Sequence, residues 1–459
     1  MRTTLQIIPE NLDKLWNEWD VRIMVLSSLC LQIVLVHFGS RRKFSSRNSV
    51  KIFTWIAYLS ADWVATVALG VISSFRRDCN QGNSSHPNSP MIMAFWTPFL
   101  LVHLGGPDSI TAYSLEDNEL WLRHLLGLLV QVAYQLSLLS ISMFIAGIIK
   151  YGERTWVLRS TTRDRYRNLS APNTDHGNAH VSSFRNDAEE KEVEDDLRSR
   201  LSFWKMSSED LAEERKPSAL EATLIHQACV MFKKVFVRLY ADLTIDFFDS
   251  ENSYPLIVGS SSEDYFKVVE IELGFMYDLL YTKATMVYSF KGIIFRSICM
   301  LSYISTFLIF GLVINKKLYF TIDIALTYLL FVGAITLEPY GIALLLSTDY
   351  WTLYWLSRKK NMLAGWIFKG MNSLLSILSH RKRWSESMAQ FSLIDFCVKE
   401  KPLKWHGFLR LLGIFEMYEK YRHTSHEKVP FRMKELIFQK LQDARNHVNE
   451  ERDPASKYD

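Results

Sequence analysis

"MVYSFKGIIFRSICMLSYISTFLIFGLVINKKLYFTIDIALTYLLFVGAITLEPYGIALLL" occupies positions 286–346. Two apolar runs, Met286–Ile314 and Leu318–Leu346, are parted only by Asn315, Lys316 and Lys317. An α-helix rises about 1.5 Å per residue, so roughly 20 apolar residues cross a bilayer core. Each run is long enough, and the short polar break makes the pair a helical hairpin. Two ionisable residues lie inside it. Arg296 and Glu338 are equidistant from Lys317, which puts them at similar depth, about 12–15 Å from the far end of each run. A lone charge there costs at least about 2.5–3.5 kcal/mol, so Arg296 and Glu338 are expected to pair. Asp62, about 18 Å into an earlier span, is the rival partner for Arg296.

Working outward, three more runs reach spanning length: about 21–38, 50–75 and 120–149. A shorter run, Met91–Leu104, carries Pro98; segments of that length are more often re-entrant or interfacial. The expected class is therefore all-α, a polytopic helical membrane protein. Residues 1–150 form an N-terminal membrane region, 151–285 a cytosolic loop, 286–346 the hairpin and 347–459 a cytosolic tail. The opening "MRTTLQIIPENLDKLWNEWD" is polar and carries both signs, unlike a secretory leader, so the first span is expected to act as an uncleaved anchor.

Lys and Arg in the flanks set orientation. Basic clusters follow the first span (Arg41, Arg42, Lys43, Arg47, Lys51), the 120–149 run (Lys150, Arg154, Arg159, Arg163, Arg165, Arg167) and the last span (Arg358, Lys359, Lys360, Arg381, Lys382, Arg383). Five crossings, an outer N-terminus and a re-entrant Met91–Leu104 place all three inside. Six full crossings, with the rule broken once, is the alternative. Asn83 begins an acceptor sequon on the expected outer loop, and Asn168 begins one on the inner side.

"LGGPDSITAYSLEDNELWLRHLLGLLV", Leu104–Val130, interrupts the apolar pattern. Gly105 and Gly106 permit a turn and Pro107 fixes it. Ser114 can cap a helix whose first turn holds Glu116 and Asp117. The bland reading is cap chemistry. The functional one is an acidic mouth of the re-entrant segment made by Asp108, Glu116, Asp117 and Glu119.

The polar regions carry no reaction signature. Residues from about 160 to 219 are dense in charge and poor in apolar groups, a composition expected to be disordered; from about 220 to 284 the pattern is amphipathic and helical. His176 and His180 flank Gly177 and Asn178, so their spacing is ascribed to chance. After the last span, 355–378 interleaves Trp with Lys and Arg, the pattern of an interfacial helix touching anionic lipid. The five cysteines are far apart and none forms a CxxC pair, which points to neither a disulfide framework nor a zinc site. A net charge of +4 is too small to argue for nucleic acid. There is no Gly-rich phosphate loop, GxSxG or HExxH, and no catalytic residue, cofactor or metal is assigned.

Four stretches, "LLVHLGGPDSITAYSLEDNELWLRHLLGL", "VVEIELGFMYDLLYTKA", "YLLFVGAITLEPYGIALLLSTDYW" and "RKRWSESMAQFSLIDFC", together resemble the plant family called domain of unknown function 4220. The resemblance covers most of the chain from Leu100 to Cys397. It implies an integral membrane protein of plants, in the plasma membrane or an endomembrane, with no established activity and no catalytic residues to carry over. Many relatives carry a further module, domain of unknown function 594, with a His-Ile-Ala-Thr-Glu signature that this sequence does not contain. Three functions stay open: a membrane scaffold or signalling component, a channel or transporter using intramembrane charges, and an intramembrane enzyme in which His103, Asp108 and His124 would converge. Topology is directly testable. Expression in a glycosylating membrane system is expected to give an endoglycosidase-sensitive shift that Asn83→Gln abolishes; a shift that depends on Asn168 would support six crossings instead.

Overall fold

The computed structural model describes residues 10–45, 48–80, 89–134, 141–162, 261–346, 387–398 and 422–452, with a few isolated positions between them. Asn83, Asn168, His176, His180, the 163–223 stretch and the interfacial helix expected at 355–378 lie outside the described residues. The fold is all-α. Its helices are α1 Glu10–Arg42, α2 Asn48–Asn80, α3 Ser89–Leu104, α4 Leu115–Glu119, α5 Trp121–Tyr134, α6 Ile141–Ser160, α7 Ser262–Tyr281, α8 Ala284–Val287, α9 Phe290–Val313, α10 Thr321–Leu346, α11 Leu393–Val398 and α12 Phe431–Arg452. Two short strands, β1 Ser387–Phe391 and β2 Thr424–Lys428, pair antiparallel with Ala389 opposite His426.

Four helical stretches are long and apolar enough to cross a bilayer: Trp19–Arg42, Ser49–Ser74, Phe290–Val313 and Thr321–Leu346. They mark an integral membrane protein. Their outward faces are apolar, with Trp55, Trp63, Leu301 and Leu312 all exposed. Their inward faces bury polar groups such as Arg296, Asp323 and Glu338. α1 runs parallel to α10: Arg22 grips Asp323 through a two-pronged bond (2.6 and 3.1 Å), Leu29 meets Gly333, and His37 bonds Tyr340 at 2.9 Å. The bundle thus has one end at the α1–α2 turn and the other at the α9–α10 turn.

α3 starts at the α9–α10 end, where Met91 touches Tyr319. Its upper half sits in an aromatic core. Phe95 and Phe99 pack on Phe331, and Phe95 stacks on Phe310 at 5.4 Å. Trp96 donates its indole N–H to Thr327 at 2.9 Å. The helix stops at Leu104, but the chain keeps going down. Gln32 donates to the His103 carbonyl, Ser109 to those of Leu35 and Val36, and Arg42 to that of Tyr113. The Tyr113 hydroxyl reaches the Lys51 carbonyl at the α1–α2 end. α3 and the 105–113 segment together therefore run the length of the bundle, half helix and half extended chain. This corrects the expectation that Met91–Leu104 dips in and returns.

The 120–149 run is corrected as well. It is not one span. Trp121 lies under the Arg159 guanidinium at 4.8 Å, His124 packs edge-on against Tyr151, and Gly127 faces the Tyr151 hydroxyl. α5 and α6 therefore run antiparallel, with residues 135–140 between them outside the described residues. Ser142, at the start of α6, is level with Thr306 of α9 (2.6 Å), about 10 Å short of Val313 at about 1.5 Å per residue. Hydropathy marks apolar length and carries no signal for a reversal.

Two glycines set the α3 break. Gly106 has φ of 65°, the left-handed region that favours glycine, and its N–H returns to the His103 carbonyl as a helix cap. Gly105 lets α3 and α6 touch: a Cβ there would lie 2.7 Å from the Lys150 carbonyl carbon. Gly105→Ala is expected to lower thermal stability, because backbone must give way, whereas Gly152→Ala on the same α6, with nothing within 4 Å, is expected to raise it by about 1 kcal/mol through helix propensity. Melting of the two variants in detergent checks this; equal stability would refute the close-contact account.

Candidate functional site

Below the end of α3 the bundle interior changes from aromatic to charged. Six ionisable side chains meet there: Asp108 from the extended segment, Lys150 and Glu153 from α6, Lys283 between α7 and α8, Arg296 from α9 and Glu338 from α10. All six are at most 8% exposed. Arg296 touches three carboxylates, Glu338 at 2.7 Å, Asp108 at 2.9 Å and Glu153 at 3.4 Å. Lys150 holds Glu338 at 2.6 Å and Asp108 at 3.3 Å. Lys283 lies 3.9 Å from both Asp108 and Glu153. Three cations face three anions, so the hexad is electrically neutral.

The cations also serve the backbone. α3 ends inside the bundle, leaving carbonyls with no helical partner. Lys283 donates to the carbonyls of Gly105 (2.9 Å) and Gly106 (3.2 Å), and Arg154 donates to that of Leu104 (2.8 Å). The negative end of the α3 dipole thus meets positive charge. The hexad's neighbour segments are stitched by main chain as well: Lys283 N–H bonds the Asp108 carbonyl (3.0 Å), and Thr111 N–H bonds that of Tyr281 (2.8 Å). Burial and the nearby Lys150 ammonium push Lys283 down to about 8, with Asp108 and Glu153 pulling the other way.

The expected pair, Arg296 with Glu338, is in contact. Asp62 is not its rival: it accepts two bonds from Arg154, at 2.6 and 2.8 Å, in a fork that also lies against the Tyr58 hydroxyl. The four acids expected at one mouth do not share one. Asp108 is inside the hexad; Asp117 accepts the N–H groups of Tyr113 and Ser114 at 2.8 and 3.1 Å; Glu116 and Glu119 are exposed. That is cap chemistry at the start of α4. His103, Asp108 and His124 have separate partners too. His103 bonds Ser28 at 2.8 Å and His124 packs on Tyr151. Among the described residues no three or more His, Cys, Asp or Glu are placed to hold a metal.

Sequence reasoning missed Lys150, Glu153, Arg154 and Lys283. Lys150 and Arg154 were counted as flanking charge, yet both are buried. The available signal was their spacing: positions 150, 153 and 154 lie i, i+3 and i+4, one helical face carrying both signs.

Residues 55–397 match the family described as domain of unknown function (DUF4220). The matched region covers most of the chain and contains the whole hexad, and the protein belongs to this family. No match is found among curated proteins or solved structures.

The pairing is expected to be charge-balanced rather than additive. Arg296→Ala leaves an uncompensated buried carboxylate, which costs about 3–5 kcal/mol, and is expected to cut membrane-protein yield sharply. Arg296→Ala with Glu338→Ala restores neutrality and should recover part of that loss. A double variant no better folded than the single would refute the balance.

Proposed function

We propose that this is a plant membrane protein of the scaffold or signalling type, with the α1–α2 end of the bundle facing the cytosol. The observation that carries the reading is the way the α7–α8 element is plugged into the broken α3 span. Tyr277 donates to the Gly39 carbonyl, Asp278 pairs with Lys43 at 2.8 Å, and Lys283 sits under Gly105 and Gly106. From this anchor α7 extends to the C-terminal helix α12, where Tyr265 packs on Phe438 and Lys434 lies over Phe266. A load on α12 passes along α7 to the hexad.

Support for the orientation comes from Arg41, Arg42, Lys43 and Arg159, which gather at the α1–α2 end. On that reading α1, α2, the α3 segment with its extended tail, α9 and α10 cross the bilayer, and the α5–α6 hairpin enters from the cytosolic side. The membrane is the plasma membrane or an endomembrane, with 355–378 resting on anionic lipid. A channel or transporter is the second reading, favoured by the broken span, a recurrent feature of transporter sites.

The two readings separate by experiment. Purified chain in liposomes is expected to pass no more ion than empty vesicles. In plant cells, proximity labelling from a C-terminal fusion is expected to give a reproducible partner set that changes when Lys283→Met loosens the plug. Flux above the empty-vesicle level, with a partner set indifferent to Lys283→Met, would favour the transporter.

A further inference from the structure

A cavity of about 50 Å³ lies between α1, α3 and α10, beside the hexad. Its polar lining is Gln32, His103, Asp108, Lys150, Tyr303 and Glu338. Tyr303 is fully buried, yet among the described residues no group bonds its hydroxyl. A buried hydroxyl without a partner is costly. Asp108 raises the same question at its other oxygen. Oδ1 takes Lys150, Lys283 and Arg296, while Oδ2 points towards Gly341, 3.8 Å from where a Cβ would stand. Gly341 also lines the cavity.

Volume and charge select the occupant. At roughly 10–15 Å³ of such space per molecule, the cavity takes about three to five waters and no organic ligand. An added ion would be uncompensated, because the hexad is already neutral and ions buried without a partner are strongly disfavoured. We propose that the cavity is a built hydration site, in which a small water cluster bonds Tyr303 and the free oxygen of Asp108. The ligand is water, to the exclusion of inorganic ions. The cluster has a mechanical consequence. A carboxylate that releases Lys150 meets water instead of hydrocarbon, so the hexad can exchange partners without drying. This holds whether the protein signals or transports.

Two conservative variants of the full chain decide it by the sign of a melting shift. If water bonds the hydroxyl, Tyr303→Phe lowers the melting temperature; if the cavity is dry, the variant sheds an unpaired hydroxyl and the temperature rises. Gly341→Ala places a methyl at ordinary contact distance from Asp108 Oδ2. In a dry cavity it gains helix propensity and fills space, so stability rises; in a hydrated one it displaces water and stability falls. Gly311→Ala, with nothing within 4 Å of its Cβ, gives the rise due to propensity alone. Lower melting in both test variants supports the site. A rise in Tyr303→Phe overturns it. A fall there, with Gly341→Ala matching Gly311→Ala, takes Asp108 out of the site and overturns the two-point cluster. Sodium or potassium that raises the melting temperature of wild type but not of Tyr303→Phe, at constant ionic strength, overturns the exclusion of ions.

Discussion

The carbonyls of Leu104, Gly105 and Gly106 must be satisfied inside the bundle, and the rest of the interior follows from that. Where bulk water is excluded, irregular backbone survives only if protein supplies its hydrogen bonds. Here the donors are Arg154 and Lys283. Bringing cations to that depth creates a second demand, since each costs about 2.5–3.5 kcal/mol by insertion scales. Asp62 answers for Arg154; Asp108 and Glu153 answer for Lys283. Those carboxylates then need the further charge of Arg296 and Lys150, and Glu338 closes the set.

The two halves of the bundle cohere by different physics. Around α3 the contacts are aromatic and short-ranged: Phe95, Phe99, Phe307, Phe310 and Phe331 lie with ring centroids 5.0–6.2 Å apart. Such packing fixes positions to a fraction of an ångström and tolerates little change of volume. Around the extended segment the contacts are charged and longer-ranged, and they tolerate displacement better than removal. The close α3–α6 approach at Gly105 sits at the boundary, so the rigid half determines where the polar half begins.

Depth was legible in the sequence and reversal was not. Counting outward from Lys317 placed Arg296 opposite Glu338, because helical rise turns residue number into distance. The four long spans followed from apolar length. The reversal between α5 and α6 left no such trace: Gln131, Gln135, Ser137 and Ser140 are mild interruptions in a run that reads as one helix. Lys150, Glu153 and Arg154 looked like an ordinary cytosolic flank, since the sign of a charge says nothing about which way its helix faces. Lys283 could not be found at all by periodicity. It sits in a short link, and two of its partners are the carbonyls of Gly105 and Gly106, 178 and 177 residues away. The β1–β2 pair, short and largely exposed, lacks the alternation that would announce strands.

The buried ion pairs differ in what they permit. Arg154 grips Asp62 with both fork nitrogens on both oxygens, and Arg22 grips Asp323 in the same manner. Bidentate pairs have one good geometry, so these two hold α6 to α2 and α1 to α10 as fixed joints. Asp108 is the opposite case. One oxygen serves Arg296 at 2.9 Å, Lys150 at 3.3 Å and Lys283 at 3.9 Å. Lys283, the cation farthest from that oxygen, is also the one carried by the α7–α8 link. The fold therefore places the longest of these ion contacts where the α7–α8 link meets the broken span, beside the main-chain bond from Thr111 to Tyr281.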